Sequence, residues 1–182
     1  NDGNQSFTEK IISSSVDYGR DVYAADVDGD GDMDALSASS KNDKISWHEN
    51  DGNESFTEHT ISSSANFARA VFSVDMDFDE DMDILSASRD DDKIAWYEND
   101  GSESFTLHVI SDSADNAISV YAADMDGDGD MDVLSASKDD DKIAWYENSK
   151  VIAPSDTIAP SIIWSPMDGS TDVSETSNIT LT

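Results

Sequence analysis

Aspartate recurs at every second position in three short segments of the chain. Each segment carries aspartate at positions 1, 3, 5, 7 and 9, and successive segments begin 49 residues apart. Carboxylates this close repel one another unless a cation lies among them, and an all-oxygen ligand set suits a hard cation, above all Ca²⁺. We therefore predict one calcium loop per segment. The candidate metal ligands are Asp26, Asp28, Asp30, Asp32 and Asp34 in the first, Asp75, Asp77, Asp79, Asp81 and Asp83 in the second, and Asp124, Asp126, Asp128, Asp130 and Asp132 in the third.

The first segment illustrates how such a loop holds an ion. We expect the side chains at positions 1, 3 and 5 to converge on the cation. The backbone carbonyl of Asp32 at position 7 joins them, and Asp34 at position 9 closes the shell with water. Gly31 at position 6 permits the positive φ that a sharp curl needs. A calcium hand flanked by helices needs glutamate at position 12, where this chain has Ser37. Closure at position 9 is therefore the preferred interpretation.

The second loop departs from the other two. Phe78 and Glu80 stand where the first loop has Gly29 and Gly31. A side chain in a left-handed turn costs on the order of 1 kcal/mol, although the added carboxylate attracts the cation. We predict that the first and third loops bind calcium more tightly than the second.

The charge of the chain limits its partners. It has 182 residues with 41 acidic and 10 basic side chains, a net charge of -31, and no cysteine. Such acidity argues against nucleic acid and anionic membranes as electrostatic partners, and it leaves neither disulfides nor thiolate metal sites. No apolar run approaches the ~20 residues of a membrane helix. Because the chain begins at Asn1 without a leader, we expect an excised piece of a longer secreted protein.

The 49-residue period also defines the fold. The repeats are residues 1–49, 50–98 and 99–147, and each holds four short β-branched and apolar runs separated by polar turns. These turns recur too often for a long amphipathic helix. Four-stranded units of about 50 residues are typical of β-propeller blades. The predicted fold is all-β, with three blades of an incomplete propeller.

The order of strands predicts that blades and repeats are out of phase. If the strand that enters the acidic loop is innermost, the Ser-Phe-Thr strand that opens each repeat is the outermost strand of the preceding blade. Residues 6–12 then belong to a blade whose other strands are missing, and the third blade lacks its outer strand after Glu147. Three blades are fewer than the ~4 to 8 of closed propellers. We expect an open array, completed by further blades of a longer chain or by an oligomer.

The composition changes after Asn148. Residues 149–160 contain two of the three prolines and no acidic loop, so they are predicted to form a linker. Residues 161–182 have the pattern of the opening strands of another β domain, a truncated β-sandwich.

The sequence contains little that suggests catalysis. Close carboxylate pairs belong to the acidic loops or to turns such as 90–92 and 139–141, each followed by lysine. No catalytic triad order, nucleophile elbow, phosphate loop or dinucleotide fingerprint is present. Trp47, Trp96 and Trp145 recur at one strand position, which favours packing between blades over a sugar-stacking platform. The chain is therefore predicted not to be an enzyme.

Residues 25–36 followed by 45–52 resemble the FG-GAP/VCBS-type repeat of bacterial secreted proteins, which is related to the calcium-binding blades of integrin alpha chains. The resemblance covers residues 1–148 in three copies. It implies a β-propeller with calcium in the loop between the first two strands of each blade. Residues 155–182 are similar to the start of a bacterial Ig-like domain.

The resemblance also implies a function. Members of this family are secreted or cell-surface bacterial modules for adhesion, ligand binding or scaffolding, so we expect structural calcium and a protein or glycan ligand at the surface. The alternative is the propeller domain of a carbohydrate-active enzyme, a lyase or hydrolase whose catalytic residues lie outside these residues.

Overall fold

The computed structural model describes Gly3 and residues 6–149. The chain divides into two compact units, residues 1–150 and 151–182, and the second unit lies outside the described residues. The predicted linker beyond Ser149 and the predicted Ig-like start at 161–182 therefore lie outside them too. Every regular element in the described part is a β-strand. The strands are β1 (Gly19–Ala25), β2 (Asp34–Ser39), β3 (Lys44–Asn50), β4 (Phe56–Ser62), β5 (Ala68–Val74), β6 (Asp83–Ser88), β7 (Lys93–Asn99), β8 (Phe105–Ser111), β9 (Ala117–Ala123), β10 (Asp132–Ser137) and β11 (Lys142–Tyr146).

The strands form three antiparallel sheets, one for each repeat. Their orders are β1-β2-β3-β4, β5-β6-β7-β8 and β9-β10-β11, and none of the sheets closes on itself. The inner strands β1, β5 and β9 lie next to one another across the sheet boundaries. The predicted all-β fold of blade-like sheets is thus confirmed.

The sheets are out of phase with the sequence repeats, as predicted. Strand β4 belongs to the second repeat but completes the first sheet, and β8 completes the second sheet in the same way. Residues 6–18 form no strand, although residues 7–13 are equivalent to β4 and β8. The third sheet has no fourth strand among the described residues.

The core lies between neighbouring sheets. One cluster packs Trp47 and Ile45 of the first sheet against Val71 and Ile84 of the second, and a similar cluster joins the second sheet to the third. Trp47 is 1% exposed, which confirms packing between blades, and Trp96 packs against the second cluster. This repeated core holds each inner strand, and therefore each acidic loop, at a defined place.

Among the described residues, no sheet covers the two outer faces of the array. Val22 on β1 is 76% exposed whereas its equivalent Val71 is 3% exposed, and Ile143 on β11 is 79% exposed whereas Ile94 is fully buried. Each outer face carries residues equivalent to those that are buried where two neighbouring sheets pack together, and such a boundary occurs twice inside the array. A search of the described residues for a helix long and apolar enough to cross a membrane found none.

Candidate metal centres

Each acidic loop joins the two inner strands of one sheet. The ladder between β1 and β2 ends with Ala25 opposite Asp34, so position 9 of the loop is also the first residue of the second strand. The same pairing joins Val74 to Asp83 and Ala123 to Asp132. The sheet therefore fixes both ends of the loop, and the intervening residues must curl back over a short distance.

The curl brings three carboxylates together in every loop. At positions 1, 3 and 9, each side chain offers one oxygen, and these oxygens lie within 4.8 Å of one another. Oxygens at this separation can share one cation at the ~2.3 to 2.6 Å distances that calcium prefers. The groups are Asp26, Asp28 and Asp34; Asp75, Asp77 and Asp83; and Asp124, Asp126 and Asp132.

The carboxylate at position 9 is buried and anchored from two sides. Asp34 Oδ2 accepts a hydrogen bond from Val27 N at 3.0 Å, and its Oδ1 accepts one from Asn50 N at 2.8 Å. Asp83 and Asp132 receive the same two backbone bonds in their own sheets, at 2.7 to 3.0 Å. Charge-assisted bonds of this kind hold an ionised carboxylate where it can contact a cation.

The carboxylates at positions 1 and 3 hold the curl itself. Asp26 Oδ2 accepts a hydrogen bond from Gly31 N at 3.0 Å, and Asp28 Oδ1 accepts one from Asp30 N at 3.1 Å. The other oxygen of Asp26 is buried and has no hydrogen-bond partner in the described part of the chain. A buried acceptor without a donor is costly, and a bound cation removes that cost. The ligand set therefore suits a hard divalent ion such as calcium.

The carboxylates at positions 5 and 7 do not join the three-oxygen groups. Asp30 Oδ1 accepts a hydrogen bond from Asp32 N at 2.8 Å, and the side chain of Asp32 lies so close to Gly52 that a Cβ there would approach its Oδ2 to 2.5 Å. The second loop repeats both relationships. In the third loop position 5 makes the same bond and position 7 is buried. Two sets of ligands therefore stay predictions. They are the side chains at position 5 (Asp30, Asp79 and Asp128) and the backbone carbonyls at position 7 (Asp32, Asp81 and Asp130).

The second loop keeps the curl without its glycines. Phe78 and Glu80 adopt φ of 61° and 78°, close to the 75° of Gly29 and in the same left-handed region as the 96° of Gly31. Both loops therefore turn through the left-handed region at positions 4 and 6, and in the second loop residues with side chains bear the strain.

Burial disfavours the ionised form of at least one carboxylate in the first and second loops, whereas the backbone N–H groups of Asn148 and Met125 oppose the effect of burial on Asp132 and its pKa is lowered. Burial raises the pKa of Asp28, and the neighbouring carboxylates raise it further, while the hydrogen bond from Asp30 N–H lowers it. Burial also raises the pKa of Asp83 to about 6, although the backbone N–H groups of Asn99 and Met76 act in the opposite direction. A divalent cation reverses this balance because it favours the charged form of each ligand.

Sequence reasoning missed the asparagine that closes each site from the neighbouring strand. Asn50, Asn99 and Asn148 each follow position 9 by 16 residues and donate the second backbone bond to it. Asn99 Nδ2 also donates to Val27 O at 3.2 Å, which links the third strand of the second sheet to the first acidic loop. The recurrence of asparagine at this spacing was the available signal.

Comparison with known proteins agrees with this geometry. A family model described as FG-GAP-like repeat matches residues 1–37, 26–86 and 75–135, and every matched region contains at least one complete acidic loop. A search of curated proteins found no match to this chain.

Proposed function

The chain belongs to the FG-GAP-like repeat family, and from this we propose that it is a non-catalytic, calcium-binding repeat module of a secreted or cell-surface bacterial protein. Its role is adhesion, ligand binding or scaffolding. Calcium in each acidic loop is structural. The observation that carries the proposal is the meeting of three carboxylates in every repeat, one of them already anchored by backbone N–H groups of the loop and of the third strand.

Calcium acts in this proposal as a cross-link between inner strands. The ion joins positions 1 and 3, which follow the first strand, to position 9, which begins the second. It also relieves the repulsion among carboxylates that otherwise opposes loop closure. Since the inner strands of neighbouring sheets pack together, fixing one loop also supports the adjacent boundary. A ligand that binds only the folded state adds about 2.7 kcal/mol per site at a hundred times its Kd.

The ion pairs outside the loops support a non-catalytic role. Asp91 pairs with Lys93 at 2.7 Å, and Asp140 pairs with Lys142 at 2.8 Å. The Lys44 ammonium beside Glu58 holds the pKa of that carboxyl below its usual value. The Lys142 ammonium likewise lowers the pKa of Asp140, to about 2. A general acid needs a raised pKa, so Glu58 and Asp140 are tuned away from that role.

Placement outside the cell belongs to the proposal, because calcium loops of modest affinity fill only where calcium is abundant. Extracellular calcium modules typically have Kd values of about 10⁻⁴ to 10⁻³ M. Loops of this affinity are filled outside the cell and empty in a cytosol that keeps calcium low. Labelling of the native protein on intact cells by a membrane-impermeant reagent tests this placement, and protection until the cells are lysed contradicts it.

Calcium titration of the metal-stripped protein tests the proposed role of the ion. We expect up to three calcium ions to bind, with a rise in the melting temperature and slower proteolysis. Magnesium at the same concentration should do less, because it is reluctant to give up its water and demands strict octahedral geometry. If a chelator leaves both melting and proteolysis unchanged, calcium is not structural here.

A further inference from the structure

All three arginines of this acidic chain surround a single aromatic ring. The guanidinium carbons of Arg20, Arg69 and Arg89 lie 4.9, 5.4 and 3.4 Å from the centroid of Phe67. They are separated widely in sequence, and the chain carries only 10 basic residues against 41 acidic ones. Their convergence therefore concentrates nearly a third of the positive charge at one place.

The cluster lies at the end of the sheets opposite the acidic loops. Arg20 and Arg69 are the second residues of β1 and β5, whereas the loops follow the last residues of these strands. Arg89 follows β6, at the same end of the second sheet. Seven-residue strands place the two ends about 20 Å apart. The cluster is thus separate from the candidate metal centres.

The arginines are poorly compensated by the chain itself. Arg89 pairs with Asp90 at 2.5 Å, and Arg20 Nε donates to Ser40 Oγ at 2.9 Å. The Nε of Arg69 is buried and has no acceptor among the described residues. No ion pair of Arg20 or Arg69 with a carboxylate is found in that part of the chain. Burial lowers the pKa of Arg69, and the charges of Arg20 and Arg89 lower it further, while the Asp90 carboxylate acts in the opposite direction.

The backbone around the ring is fixed. Phe67 N donates a hydrogen bond to Asp43 Oδ1 at 2.8 Å, and Phe67 O accepts one from Arg89 N at 3.2 Å. Arg20 is exposed and the other two arginines are half-buried, so a ligand in solvent can reach the guanidinium groups. Guanidinium groups held in advance by stacking lose less freedom on binding.

The repeat fold does not require this cluster. The third repeat has Asn116, Ile118 and Lys138 where the second has Phe67, Arg69 and Arg89. Nevertheless Asn116 has φ of 56°, the same as Phe67, and Lys138 N donates to Asn116 O at 3.1 Å. The turn therefore forms equally well without the ring and without Arg69. The local turn of the blade does not account for the three arginines.

We propose that Arg20, Arg69 and Arg89, assembled on Phe67, bind an oxyanion group of a ligand, that is a carboxylate, sulfate or phosphate ester. Planar guanidinium groups match such oxyanions through paired N–H donors. The net charge of -31 opposes the binding of anions on the rest of the module, so the place where an oxyanion can be held is this local concentration of guanidinium groups. The proposal does not rest on the role of calcium in the loops.

The arginine side chains provide the test, because a chain with three arginines gives three Nε–Hε NMR signals. The calcium-saturated protein is titrated separately with acetate, sulfate and methyl phosphate at constant ionic strength, with chloride as the reference. We expect saturable movement of the Arg69 signal, and of the Arg20 signal, with at least one oxyanion and none with chloride. The oxyanion that saturates at the lowest concentration identifies the ligand group.

Variants taken from the third repeat supply the controls. Arg69→Ile and Phe67→Asn should each weaken binding about ten-fold or more, as the loss of a charge-assisted hydrogen bond predicts. Lys138→Ala, the equivalent cation without a ring, should leave the affinity unchanged. The calcium-dependent melting of every variant should match the parent, which separates loss of the anion site from loss of folding. No saturable shift with any of the three oxyanions, or unchanged affinity in both Arg69→Ile and Phe67→Asn, overturns the proposal.

Discussion

Asp34 and Asn50 join the second and third strands of the first sheet beside the acidic loop: Asp34 Oδ1 accepts a hydrogen bond from Asn50 N at 2.8 Å. The second oxygen of Asp34 accepts one from Val27 N, inside the loop. A single buried carboxylate therefore serves both the fold and the candidate metal centre. These two roles are separable by mutation.

We expect Asp34→Ala to destabilise the protein even without calcium. The substitution leaves two backbone N–H groups without their acceptor, at a cost of about 2–4 kcal/mol. Urea unfolding in the presence of a chelator measures the loss.

Asp28→Ala is the matched control for that experiment. Asp28 is exposed and caps only the loop, so its loss should remove the calcium stabilisation that the first loop contributes and change the metal-free stability little. If both variants lose equal stability in chelator, the anchoring role of Asp34 is wrong.

Phe78→Gly should strengthen calcium binding by the second loop. Phe78 has φ of 61°, and glycine adopts that conformation without the ~1 kcal/mol cost; where calcium binding is what holds the loop in this curl, the relief corresponds to about a five-fold gain in affinity. The measurement is a calcium titration by calorimetry in a protein that also carries Asp28→Ala and Asp126→Ala. These two substitutions each remove a ligand from the first and third sites, so that the heat reports on the second site. Unchanged or weaker binding contradicts the explanation of the second site by backbone strain.

Trp47→Ala should cost far more stability than Trp145→Ala. Trp47 is 1% exposed between two sheets and stacks on His59 at 4.5 Å, whereas Trp145 is 46% exposed on the outer face of the third sheet. Removing a fully buried tryptophan costs about 3–5 kcal/mol, and the loss at Trp145 should be less than half of that. Urea unfolding of both variants compares them. Equal losses mean that the outer face is covered in solution.

His48→Tyr should make the folded protein less sensitive to acid, so that its free energy of unfolding falls less as the pH is lowered. Burial lowers the pKa of His48, and Lys44 lowers it further, although Glu58 raises it. The unfolded state, with a histidine pKa near 6.5, then binds a proton first. His48 therefore contributes full stability above about pH 6.5, and the contribution falls as the pH drops from there towards the lower folded pKa.

Tyrosine is the natural replacement at this position, because Tyr146 contacts Ser135 at 3.2 Å much as His48 contacts Ser37 at 3.0 Å. Thermal unfolding of both proteins at pH 7.5 and 5.5 gives the comparison. If the difference in melting temperature between the two proteins is the same at both pH values, this role for His48 is wrong.

Much of the fold follows from the sequence because its determinants are local and repeated. The period, the strand runs and the turns recur three times, so the strand order and the offset between repeats and sheets were predictable from residues such as Phe56 and Phe105, which open β4 and β8. The convergence of positions 1 and 3 was predictable too, since it depends on a few bonds within one loop.

The contributions of more distant residues were not predictable in the same way. Asn50 reaches Asp34 across a strand pair, and position 5 turns to a backbone N–H within the loop rather than into the three-oxygen group. Spacing along the chain specifies which oxygens are near one another, but the orientation of each carboxylate depends on the donors that the folded sheet presents to it.

The sequence by itself determined a repetitive all-β chain with an acidic loop in each repeat, because alternation, turn residues and period act over short distances. Only the tertiary structure decided that Arg20, Arg69 and Arg89 meet on Phe67. These residues lie on three segments from two neighbouring sheets, and their meeting depends on how those sheets pack. That packing is a property of the whole boundary, which no single motif encodes.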